Sequence, residues 1–131
     1  MTTELNMLVL TAIFTALLWV PYILSHIVNN GLLPALTYAA DGQPLPEWAA
    51  RLKKAHTNAI ENLPIFAIAV LVAHVVGVST DTTVFAAQAY LVARVLHAIG
   101  YTTNLPFART LTFAAGLIAT FAIFWEINAS M

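Results

Sequence analysis

The sequence predicts an all-α integral membrane protein, a four-transmembrane-helix bundle. The chain is 60% hydrophobic and only 8% charged, and its mean hydropathy of +0.82 lies far above that of soluble domains. Its apolar residues fall into four runs, each near the ~20 residues a helix needs to cross a bilayer. The runs are separated by short stretches rich in Gly, Pro, Asn and Thr, which punctuate helices. With 131 residues and no repeat or linker, one domain spanning residues 1–131 is expected.

The first span covers residues 5–28 and contains Pro21, which a transmembrane helix can tolerate as a kink. The preceding Met-Thr-Thr-Glu lacks the basic region of a signal peptide, so the span is expected to be retained. "NNGLLPALTYAADGQPLPEW" follows, and its breakers mark a loop. A second helix starts at Pro46 or Glu47 and runs to about residue 78. At 1.5 Å per residue it is roughly 48 Å long, so its first turns should project beyond the ~30 Å hydrocarbon core. "GVSTDTT" is a turn, with Thr82 and Thr83 leading into a third helix that ends near Tyr101. "TTNLP" breaks the chain again, and residues 107–127 form the fourth span.

Composition excludes several function classes. A net charge of −1 leaves no basic footprint for nucleic acid. With no cysteine there is no disulfide, thiol nucleophile or thiolate metal site, and any sulfur chemistry must come from a ligand. No histidine pair has i, i+4 spacing and no carboxylate accompanies one, so no metal or haem site is expected. With alternating spans, Arg51, Lys53, Lys54, Arg94 and Arg109 share one side, which the positive-inside rule makes cytoplasmic. Both termini then face away from the cytoplasm, with Glu4, Asp81 and Glu126 near the outer surface.

Two polar stripes interrupt the apolar pattern. At 100° per residue, Arg51, Lys54, Asn58 and Glu61 fall within roughly 80° of one helix face, bordered by Asn62. Tyr90, Arg94, His97 and Tyr101 share a face of the third span. A cation facing lipid there would be costly, so Arg94 should face the interior or a cavity. Two readings of it stay open: a buried ion pair with Glu61, or a ligand-binding cation. Asn58 and Asn62 read equally as interhelical hydrogen-bonding residues, and Tyr90 and Tyr101 as interfacial anchors. His74 reads as a packing histidine near the outer end, His56 lies opposite the stripe, and His26 is interfacial. Arginine binds carboxylates through paired hydrogen bonds. The stripes therefore point to an anionic, partly polar ligand approached from the cytoplasm.

"RLKKAHTNAIENLPIF", at residues 51–66, resembles the signature of the MAPEG family, the membrane-associated proteins in eicosanoid and glutathione metabolism. Lys54, Ala55, His56, Asn58, Glu61, Pro64 and Phe66 carry the match. "RVLHAIGY" resembles the family's third-span element through Arg94, His97 and Tyr101, and "ARTLTF" resembles the start of its fourth span. The resemblance implies a homotrimer of four-helix subunits that binds glutathione as co-substrate between subunits near the cytosolic face. It implies glutathione contacts at Lys54, Asn58, Glu61, Arg94, His97 and Tyr101, and a catalytic Arg109 that stabilises the thiolate. A hydrophobic second substrate would enter from the membrane lipids. The compact loops look like the family's bacterial branch, implying a bacterial inner membrane. Ala115, Gly116 and Ala119, with Ala86, Ala89 and Ala93, offer small-residue surfaces for subunit contact. Three positions depart from the pattern: Thr57 replaces a second arginine, Thr110 a serine and Phe113 a tyrosine. The alternative expectation is a non-catalytic lipophile-binding scaffold of the same family.

Overall fold

A computed structural model describes residues 1–131. The chain is all-helical: α1 Thr3–Leu17, α2 Trp19–Asn30, α3 Leu32–Leu36, α4 Glu47–Val75, α5 Asp81–Thr102 and α6 Ala108–Ala129, with a 3₁₀ turn at Tyr38–Ala40. Four stretches are long and apolar enough to cross a membrane: Thr3–Asn30, Glu47–Val75, Asp81–Thr102 and Ala108–Ala129. The predicted four-span bundle is thus the fold. The region expected as plain loop instead contains α3 and the 3₁₀ turn.

Local chemistry explains the boundaries. The first span breaks at Leu18, three residues before Pro21. A proline has no N–H for the carbonyl four residues back, here that of Leu17, and its ring crowds that carbonyl. At the break Leu18 N–H bonds Thr15 O, three residues back, at 3.3 Å. Pro64 leaves α4 continuous. That helix ends at Val75, short of the expected residue 78. Gly77 adopts φ 76°, and Val78 N bonds Ala73 O while Gly77 N bonds His74 O, the paired bonds of a Schellman motif. The same motif ends α5: Asn104 takes φ 59°, Leu105 N bonds Gly100 O, and Asn104 N bonds Tyr101 O. The third span starts one or two residues earlier than expected. Thr80 caps it and exchanges bonds with Thr83, whose N donates to Thr80 Oγ1 while Thr80 N donates to Thr83 Oγ1. Such reciprocal bonds satisfy two donors that a helix start leaves free.

Helix α5 is central and packs against α1, α4 and α6. Two apolar clusters form. One joins Phe66 and Val70 of α4, Ala86 and Tyr90 of α5, and Ala119 and Ile123 of α6. The other joins Leu18 and Tyr22 to Ala49, Leu52, Ala59 and Ala98. Asn62 on α4, with Arg94 and His97 on α5, lies between the two clusters in sequence, and Asn58 sits beside Ala59 at the edge of the second. Outward-facing Ile13, Ile68, Phe85, Ile118 and Trp125 are exposed, as suits a surface bathed in lipid.

Several expectations are corrected here. Ala86, Ala93, Gly116 and Ala119 are buried within the protomer and Ala89 is half-buried. The four buried ones pack inside the protomer, and only Ala115 stays exposed. Tyr90 is no interfacial anchor: it is 3% exposed and stacks on Phe66 at 3.8 Å between ring centroids. His74 is exposed in the last turn of α4 rather than packed. Glu4 is 4% exposed and accepts from Ser79 Oγ at 2.8 Å and Thr83 Oγ1 at 2.6 Å. It fastens the first span to the α4–α5 turn.

A close helix approach sets a sharp test. A Cβ on Gly100 would lie 2.6 Å from Ala108 Cβ, whereas one on Gly116 would meet Tyr90 at an ordinary 3.6 Å. Gly100→Val should therefore lower the thermal midpoint in detergent, with overpacking of about 1–3 kcal/mol. Gly116→Ala should hold or raise it, since alanine favours a helix over glycine by about 1 kcal/mol. Equal midpoints for the two variants would contradict the contact.

Candidate functional site

The site is built where the start of α4 meets the end of α5 and the start of α6. Helix α4 has 29 residues, roughly 43 Å at 1.5 Å each, so its first turns stand clear of a ~30 Å core. There Arg51 turns inward. Its Nε donates to Thr102 O at 2.9 Å, meeting the negative end of the α5 dipole. Its Nη1 also lies 3.8 Å from Glu47 Oε2, but that carboxylate is 95% exposed, and such pairs contribute ~0–1 kcal/mol.

Tyr101 stands at the centre and borders three adjoining cavities. One of about 470 Å³ has Arg51, Lys54, Asn104 and Arg109 on its walls. A second of about 590 Å³ is walled by Gln43, Lys54, Asn58 and Glu61. A third of about 360 Å³ brings in Asn58, His97, Arg109, Thr110 and Phe113. The Arg109 Cζ lies 5.5 Å from the Tyr101 ring centroid, within range of a cation–π contact. His97 meets the same ring edge-on at 5.6 Å. The result is a polar trough with cations at Arg51, Lys53, Lys54 and Arg109 and one acidic side chain, Glu61.

Beneath the trough Arg94 is 3% exposed and His97 2%. Arg94 Nη2 donates to Asn58 Oδ1 at 2.6 Å and lies 3.4 Å from His97 Nδ1. A guanidinium only donates, so the ring nitrogen accepts in that contact. Asn58 is held in turn by Asn62, whose Nδ2 donates to Asn58 O at 2.8 Å. Thus Asn58 bridges two helices while Asn62 bonds within its own. The expected Glu61–Arg94 ion pair does not form: Glu61 is exposed on the trough wall, and Arg94 bonds instead the amide of Asn58, less than one turn away on α4.

A family model described as MAPEG family matches residues 7–128. The chain belongs to the MAPEG family. It is a multi-pass integral membrane protein of that family of glutathione and eicosanoid metabolism. No curated protein and no solved structure matches it at a significant level.

In this MAPEG protein the site residues read from sequence divide into two groups. Lys54, Asn58, Glu61, His97, Tyr101 and Arg109 all border the trough. Arg94 does not, and supports Asn58 and His97 from below. All three departures from the family pattern lie on the walls. Thr57 Oγ1 donates to Lys53 O at 3.1 Å, so that hydroxyl is already engaged. Thr110 and Phe113 face the third cavity. Gln43 and Asn104 belong to the walls but were not among the expected residues. The Asn104 position carried a signal in "TTNLP", since asparagine tolerates the left-handed conformation that ends a helix. Gln43 lies in a loop whose path no periodicity reveals. His56 faces away from the trough, as expected, and its Nδ1 lies 2.9 Å from Tyr22 Oη, bracing α4 against α2.

Proposed function

We propose that this MAPEG protein is a membrane-bound glutathione-dependent transferase or peroxidase that acts on lipophilic electrophiles. The observation that carries this reading is the trough around Tyr101, where four cations and one carboxylate line three adjoining cavities. Glutathione bears two carboxylates and one ammonium at neutral pH. Arg51, Lys54 and Arg109 suit the carboxylates and the sulfur, and Glu61 suits the ammonium. Asn58, His97 and Tyr101 supply neutral hydrogen bonds that fix orientation, with Arg94 holding two of them in place.

The chemistry is thiolate generation. A free thiol has a pKa of about 8.5 and is mostly protonated at neutral pH. Arg109 beside the sulfur favours the anion, and the proton passes to solvent. The thiolate then forms a bond to an electrophilic carbon as the leaving group departs. We further propose a homotrimer in a bacterial inner membrane, with the trough and the basic residues on the cytosolic side and both termini opposite. The concentration of basic residues at one end supports the orientation, and family membership supports the trimer.

Calorimetric titration of the detergent-solubilised protein with glutathione tests the reading. Saturable heat is expected, weaker in Lys54→Ala and in raised salt, as screened charge contacts require. Absence of heat at millimolar glutathione would overturn it. One observation favours a second reading, a non-catalytic lipophile-binding scaffold: Thr57 and Phe113 leave the trough walls without a further cation and hydroxyl. Binding of lipophile but not glutathione would select it.

A further inference from the structure

The segment between α2 and α4 carries an apolar surface that the protomer leaves uncovered. Leu32, Leu33 and Leu36 of α3 are exposed, and Tyr38 beyond them is 90% exposed. The far end of the segment is pinned. Ala40 is buried, Leu45 packs against the second apolar cluster, and Gln43 and Leu45 reach the wall of the second cavity. Neighbouring exposed apolar side chains mark a contact with protein or membrane. Continuity, depth and charge choose the membrane. Residues 5–40 contain no Asp, Glu, Lys or Arg, so the uncharged character of the first span runs on through α3. Leu24 and Val28 of α2 are exposed, and α3 packs against that helix. Thr3–Asn30 has 28 residues, roughly 42 Å at 1.5 Å each, against ~40–45 Å for a bilayer with its headgroups. With Thr3 at one face of the bilayer, α3 begins at the headgroups of the other. Trp48 and Lys53 are exposed at the same end. Tyrosine and tryptophan favour that level, and lysine suits anionic headgroups.

We propose that α3 and Tyr38 are seated in the bilayer interface on the trough side, and that this seat holds the segment carrying Gln43 and Leu45 against the trough. The three leucines enter the acyl boundary, while the Tyr38 hydroxyl stays among the headgroups. Gly31 makes the bend that separates α3 from α2. Its φ of 89° is a conformation that glycine takes without steric cost. Lipid is a fluid partner and needs no complementary groove, which fits a surface with no pocket of its own. The seat requires no glutathione, so it stands or fails apart from the reading above.

The chain has no cysteine, so single-cysteine variants can be spin-labelled directly. The test uses full-length Leu33→Cys, Leu36→Cys and Asp41→Cys in vesicles of equimolar phosphatidylcholine and phosphatidylglycerol. Oxygen concentrates in lipid and a nickel chelate in water, so the relaxation of each label reports its surroundings. Labels at positions 33 and 36 are expected to meet oxygen in preference to nickel, about 5–10 Å into the headgroup and acyl boundary, on a scale set by doxyl phospholipids. The label at the exposed position 41 should meet nickel. Labels at 33 and 36 that meet nickel as position 41 does overturn the proposal. Labels shielded from both reagents overturn it too, because a second copy or the protomer itself would then be the occupant. A depth near the bilayer centre overturns it equally. Adding Leu32→Asp and Leu33→Asp together should move the label at position 36 into water, with helix content unchanged by circular dichroism. A label that stays in lipid there counts against the seat. In the same doubly substituted chain, a label on Gln43→Cys should gain mobility. Unchanged mobility with α3 released would overturn the hold on the trough wall.

Discussion

Arg109→Lys is expected to leave insertion and glutathione binding in place while conjugation of chlorodinitrobenzene falls about tenfold or more. The substitution keeps the charge, so an orientation signal at the mouth of α6 survives it. It replaces a planar donor fork with a compact ammonium on another stem. The position is demanding, because Arg109 rests over the Tyr101 ring at 5.5 Å and borders two of the three cavities. Lysine cannot hold that stacked placement and still present several donors to a sulfur. A loss of about 1.36 kcal/mol of transition-state stabilisation suffices for a tenfold drop. Thiolate absorbance near neutral pH should fall in step. Equal rates in both proteins, with thiolate formed in both, would remove Arg109 from the chemistry. A wild type that binds glutathione yet forms no thiolate would place the protein on the scaffold side.

Asn58→Ala should be the most damaging single truncation on the α4 stripe. Arg94 donates to Asn58 Oδ1 at 2.6 Å from a site with 3% exposure. Hydrogen bonds to charged groups contribute about 1.5–3 kcal/mol, and removing one partner strands the other. The loss of stability should thus exceed that of Glu61→Ala, whose side chain is exposed. Combined with Arg94→Met, the Asn58→Ala penalty should largely vanish, because no buried cation remains to be stranded. A double-mutant cycle in mild detergent measures this, and additive penalties would show that the two side chains do not support each other. The earlier expectation of Glu61 as the partner makes the opposite forecast, large coupling at Glu61 and little at Asn58.

What the sequence by itself determined is one-dimensional. Four apolar runs and their breakers define four spans, because backbone groups in lipid must bond within their own helix. Helical periodicity placed Lys54, Asn58 and Glu61 on one face and His97 and Tyr101 on another, and all five border the trough. Thr80, Gly77 and Asn104 end or begin helices through bonds to near neighbours, so their signals are local too. The tertiary structure alone decided which faces meet. Glu61 and Asn58 sit less than one turn apart on the same helix, and the packing of α5 against α4 gave Arg94 to the amide rather than the carboxylate. The same packing placed Tyr90 on Phe66 and spent the small residues of α5 and α6 inside the protomer. It also drew Arg51 onto the end of α5 and brought Gln43 to the trough. Those outcomes depend on the rotation and separation of whole helices, to within an ångström at Gly100 and Gly116. Periodicity along a single helix says which residues share a face and carries no information about the face opposite.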